Sequence, residues 1–166
     1  MRYKKSHRDQ NTTPQVITAI KNECNILEVD FIYLYGDLVC SHSWRPFKCL
    51  CHGTLSSYIE KLDYLLEMPS LWNIENLEKP LLYIQLDFKT VNKKADETLL
   101  KIILRYQNKP VSFLLSGGSF MKRDKRAIDF YNKNKDKLKN IQLYDEWKIG
   151  KEIETVDLFI SDWNNF

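Results

Sequence analysis

Glycine, proline, cysteine and long apolar runs are all scarce in this chain, and each scarcity closes off a class of protein. Five Gly and five Pro in 166 residues exclude a collagen-like repeat and a low-complexity chain. Four cysteines, Cys24, Cys40, Cys49 and Cys51, are too few for a disulfide scaffold at this length. They read as reduced thiols, with Cys24 and Cys40 as packing residues. No second Cys or His pair follows Cys49-Leu50-Cys51-His52 at finger-like spacing, so no zinc site is expected there. No apolar run approaches the roughly 18 residues that cross a bilayer, and the basic start (Arg2, Lys4, Lys5) leads into no apolar signal core. The expectation is a cytoplasmic protein without a transmembrane segment, one that is still free to meet a substrate at a membrane surface. Excess charge is also small. With 25 Lys+Arg against 22 Asp+Glu, the net charge is +3, which points away from nucleic acid but tolerates an anionic substrate.

What the chain does contain is a core and an ordered alternation of patterns. Hydrophobic residues make up 43%, enough for one domain over residues 1–166, and no repeat or linker divides it. Thr13-Pro14 is a helix start. A strand rich in β-branched and aromatic residues is expected over 26–32, and a second over 38–41 after a turn at Gly36-Asp37. Thr54 opens a helix whose stripe is Leu55, Tyr58, Ile59, Leu62, Leu65 and Leu66. Strands over 81–89, 111–115, 141–144 and 156–160 then alternate with helices over 95–106 and 122–138. The Lys-rich face of the last helix reads as solvated. This alternation predicts βα units, a mostly parallel sheet and the α/β class.

Chemistry enters through strand alternation. Glu28 and Asp30 face one way while Leu27, Val29 and Phe31 face the other. Likewise Gln85, Asp87 and Lys89 share a face opposite Leu82, Ile84, Leu86 and Phe88. Two carboxylates side by side on a buried face are costly unless a cation compensates, which suggests a metal site. Both sets fall toward C-terminal strand ends, where parallel sheets and barrels bind ligands. His7 precedes the first helix and His42 follows a strand. Three carboxylates, two histidines and a lysine on one rim describe metal-assisted phosphoryl chemistry, with the histidines moving protons. Oxygen-only ligands favour one Mg²⁺ or Ca²⁺ over zinc. Singly, each residue has an ordinary explanation as a surface histidine or an exposed ion pair; the case rests on their order in the chain.

That order resembles the phospholipase-C-like phosphodiesterases: glycerophosphodiester phosphodiesterases, the sphingomyelinase D type and the fungal altered-inheritance-of-mitochondria relatives. The matching residues are His7-Arg8, Glu28-Val29-Asp30, Gly36-Asp37-Leu38, Ser41-His42 and Leu86-Asp87-Phe88-Lys89, with Phe159-Ile160-Ser161-Asp162 similar to a later strand. The resemblance implies a metal-dependent phosphodiesterase that hydrolyses or cyclises a glycerophosphodiester or phospholipid head group. In it, His7 and His42 are the acid/base pair, Glu28, Asp30 and Asp87 the metal ligands, and Arg8 and Lys89 the phosphate contacts. Trp44 and Gln85 would line the pocket. The family fold is an eight-stranded barrel of about 250 residues. The expectation is therefore a barrel of about six parallel strands lacking the last two βα units: either a shortened open barrel, or one that self-association or a further chain segment completes. The alternative is an inactive domain of the same fold that binds a phosphate-bearing ligand or a protein partner.

Overall fold

Each strand of the sheet carries two different sequences interleaved residue by residue, and the sheet separates them. A computed structural model describes residues 4–6, 18–19, 22, 24–41, 53–67, 82–89, 92–109, 111–116, 121–144 and 154–156. Its strands are β1 (Lys4–Ser6), β2 (Ile26–Leu34), β3 (Asp37–Cys40), β4 (Leu82–Phe88), β5 (Val111–Ser116), β6 (Ile141–Leu143) and β7 (Glu154–Val156). Its helices are α1 (Leu55–Glu67), α2 (Lys93–Tyr106) and α3 (Met121–Asn134). Laterally the strands run β7-β1-β2-β4-β5-β6, every neighbour parallel, while β3 folds back antiparallel on β2. The α/β class and the mostly parallel sheet expected from the sequence are both present. Chain order and lateral order coincide from β1 to β6 apart from the β3 hairpin, and β7 returns to the far side of β1. Among the described residues no pairing joins β6 to β7.

The helices form where their apolar stripes are, and all three use the same side of the sheet. Leu55, Tyr58, Ile59, Leu62 and Leu65 of α1 enter one buried cluster with Ala95, Leu99, Ile102, Ile103 and Tyr106 of α2 and with Ala127 and Phe130 of α3. The sheet contributes Leu27, Val29, Phe31, Ile84, Leu86, Phe88, Val111, Phe113, Leu115 and Ile141 to it. Phe88 lies at its centre, edge-on to Phe31 at 4.9 Å between centroids and tilted against Phe130 at 6.0 Å. The helix starts are capped by their own sequence. Thr54 Oγ1 accepts from Ser57 N (3.1 Å), and Asn92 Oδ1 accepts from Lys94 N (3.0 Å), each satisfying a donor that the first turn leaves without a partner. Cys24 and Cys40 are buried and in no disulfide, as their packing role predicts.

Two of the boundaries that differ from the sequence expectation have a local cause. The β2–β3 turn is Tyr35-Gly36, not Gly36-Asp37; Leu34 pairs with Asp37, and both turn residues have positive φ (51° and 88°). A two-residue hairpin needs left-handed geometry at both central positions to match the strand twist, so Asp37 is drawn into β3. Its carboxylate then accepts from Leu38 N. The last helix ends at Asn134, four residues early, because the buried Asn134 turns its amide back to Phe130 O (2.8 Å). The Thr13-Pro14 helix start, Cys49, Cys51, His52 and the 157–160 end of the final strand lie outside the described residues, as do the side chains of Leu66 and Leu82. Among the described residues, no helix is long and apolar enough to cross a membrane.

Candidate metal centre

On the face of the sheet away from the helices the residue types reverse. Register places Glu28 beside Gln85 and Asp30 beside Asp87, with Leu114 and Ser116 next across. Glu28, Asp30 and Asp87 are therefore neighbours because two strands pair in this register, not because a loop gathers them. Their carboxylates each offer an oxygen to a common point, these atoms lying within 4.8 Å of one another. All three are buried, at 3%, 0% and 3% exposure. On the same side of the sheet, Ile26, Leu114 and Tyr144, with Tyr83 packed against them, form a small apolar cluster.

Two ammonium groups balance the acids. Lys89 Nζ lies 3.1 Å from Asp30 Oδ1 and also binds Asp87 Oδ2. Lys89 is held there by its own backbone, whose N–H donates to Phe31 O (3.1 Å) and so extends the β2–β4 ladder one residue past β4. On the other flank Lys5 Nζ lies 3.2 Å from Glu28 Oε2 and 5.6 Å from the centroid of the Tyr144 ring. Gln85, fully buried, donates from Nε2 to Ser116 Oγ (3.1 Å), which fixes its amide beneath the carboxylates.

The electrostatics follow from burial. Asp87 is pushed up to about 7, first by burial and then by the charges of Asp30 and Glu28, against the opposing pull of Lys89. Burial lowers Lys89, but Asp87 and Asp30 beside it outweigh that and leave its ammonium above the ordinary lysine value. The thiol of Cys40 is raised by burial and by Asp30 behind it, so it stays protonated.

The donors suit a hard cation. All three are carboxylates, the ligand type that Mg²⁺ and Ca²⁺ take. Asp87 Oδ1 is buried with no hydrogen-bond partner among the described residues, which is the costly state that a bound cation relieves. Glu28, Asp30 and Asp87 thus come together as the sequence predicts, and Lys89 and Gln85 stand beside them. His7, Arg8, His42 and Trp44 lie outside the described residues. Lys5 and Ser116 belong to the site and escaped the sequence reading. Nothing local flags Ser116, but Lys5 shares the alternation that places Glu28 on the inner face. No family model matches the chain, and no curated protein and no solved structure matches it.

Proposed function

We propose that the chain is a metal-dependent phosphodiesterase acting on a glycerophosphodiester or phospholipid head group. The observation that carries this reading is the convergence of Glu28, Asp30 and Asp87 on one buried point at the C-terminal side of a parallel sheet, with the Lys89 ammonium among them. The barrel winding expected from the resemblance has support of its own. Strands follow one another in lateral order, β7 pairs with β1 as the last strand of a closing sheet would, and the three described helices cover one face while the other is buried and polar. An open doubly wound sheet would carry helices on both faces.

In this reading Glu28, Asp30 and Asp87 hold one Mg²⁺ or Ca²⁺. That cation would polarise a phosphoryl oxygen and stabilise the charge that develops on it. With all three carboxylates ionised, as ligands of a cation would be, the two ammonium groups leave one negative charge in the cluster, so a site loaded with a divalent cation carries one positive charge, matched to a singly charged phosphodiester. Lys89, beside two of the acids, is placed to follow the phosphate. His7 and His42 would move the protons, one to the leaving oxygen and one from the attacking hydroxyl, with Arg8 as a further phosphate contact and Trp44 shaping the entrance. Turnover of a chromogenic phosphodiester in Mg²⁺ or Ca²⁺, lost in chelator and in both His7→Ala and His42→Ala, is the expected result.

A second reading has one observation in its favour. Lys5 and Lys89 already ion-pair with all three acids, as they would in a domain that keeps the fold and binds a phosphate-bearing ligand or protein without turnover. Retained binding of glycerophosphodiesters with no metal-dependent hydrolysis across a panel of lipid and glycerol diesters would decide for it.

A further inference from the structure

Lys5 occupies the middle of β1, between two parallel neighbours, where an inward position ordinarily carries an apolar residue. It is 5% exposed. Pairing with Ile26 puts it on the inner face, one step short of Glu28, and its ammonium reaches forward along that face to Glu28 Oε2 at 3.2 Å. Burying an ammonium costs several kcal/mol before its partner compensates, and an apolar residue over Tyr144 and Ile26 would avoid that cost. The partner is one of three converging carboxylates, and Lys89 lies against the other two, Asp30 and Asp87. The two ammonium groups therefore flank the acids from opposite sides, Lys5 against Glu28 and Lys89 against Asp30 and Asp87.

We propose that Lys5 is a positioning residue of the candidate metal centre: it fixes the Glu28 carboxylate and competes with an incoming divalent cation for it. This rests on the metal-centre reading above. A fixed positive charge beside one ligand orients that ligand and lowers the attraction of the whole cluster for a dication. Lys5 thus sets how readily the metal leaves as well as where Glu28 points.

Calorimetric titration of the full chain with Ca²⁺, and melting curves with and without it, test the idea. Lys5→Met should bind Ca²⁺ roughly tenfold more tightly than the parent chain, from loss of the competing charge at short range. Ca²⁺ should also raise its melting temperature by more than it raises the parent's. Lys5→Arg, which keeps the charge, should match the parent in both measurements. Unchanged or weaker Ca²⁺ binding by Lys5→Met, while the parent binds, overturns the proposed competition for Glu28 and leaves the metal centre standing. A parent chain that takes up neither Ca²⁺ nor Mg²⁺ removes the metal centre itself, and this inference with it. Should Lys5→Met fail to fold, recovery of the fold in Lys5→Met/Glu28→Gln supports the role, since the two groups then matter to each other. Equal failure of the double variant overturns it by making Lys5 a packing residue alone.

Discussion

On one side of the central strands, Leu27, Val29, Ile84, Leu86 and Phe88 meet three helices; on the other side, one residue along, stand Glu28, Asp30, Gln85 and Asp87. Both faces are equally dry, yet they are held by opposite means. The helix side gains stability from apolar area removed from water, roughly 1.5–3 kcal/mol for each large side chain. The inner side gains little: like charges are pressed together, Asp87 is driven upward by burial, and two lysines are spent on neutralisation. A buried face that costs stability is the usual signature of a site kept for its chemistry.

The contrast can be broken most severely by moving a charge across the sheet. Leu86→Asp places a carboxylate in the helix-side cluster without a cation, and the chain should fail to fold, seen as loss of a cooperative melting transition. Phe88→Ala leaves the charges alone but opens a cavity between Phe31 and Phe130. It should lower stability by about 3–5 kcal/mol in urea titrations, with Ca²⁺ affinity of the folded protein unchanged. Asp87→Asn works in the opposite sense: it should weaken Ca²⁺ binding roughly a hundredfold and end metal-dependent turnover, while raising the melting temperature of the metal-free protein above neutral pH.

The direction of that last effect follows from the shift of Asp87. Its pKa stands at about 7 in the folded chain against an ordinary 3.8, so between these values the folded state binds more protons than the unfolded one. Its contribution to stability is therefore largest below that window and declines as pH rises through it. Melting temperatures of the metal-free protein between pH 5 and 8 should contain this decline, Asp87→Asn should lack it, and Ca²⁺ binding should strengthen over the same interval. Smallest of all is Arg105→Ala. Arg105 and Glu60 form a 2.8 Å pair, but their side chains are 64% and 50% exposed, and the change should stay below about 1 kcal/mol, reduced further by salt.

Most of this two-faced design was legible in the sequence because it is local. A period of two separates Glu28 and Asp30 from Leu27 and Val29, and the spacing of Leu55, Ile59 and Leu62 marks α1 without any knowledge of its neighbours. The acids' convergence was legible too, once Glu-x-Asp and Asp-x-Lys were placed on adjacent parallel strands. β1 was not. Arg2-Tyr3-Lys4-Lys5-Ser6 reads as too polar for a buried strand, yet Lys4–Ser6 pairs on both edges, with β2 and with β7. Its polarity is compensated by Glu28, far along the chain, and a pairing at that separation leaves no trace in a short sequence window. The same holds for Ser116 under Gln85.

The pairing of β2 with β4 over six successive residues, Ile26 with Tyr83 through Phe31 with Phe88, has a consequence for how this chain can change in length. One residue added to or removed from either strand would slide the acids into the helix-side cluster and bring Leu86 and Phe88 to the inner face. Insertions and deletions there are intolerable in steps of one. At the Tyr35-Gly36 tip, where Tyr35 is 86% exposed and nothing lies within 4 Å of a Cβ placed on Gly36, the chain can lengthen freely. Variants that differ in length should cluster at that hairpin and spare the two strands it adjoins.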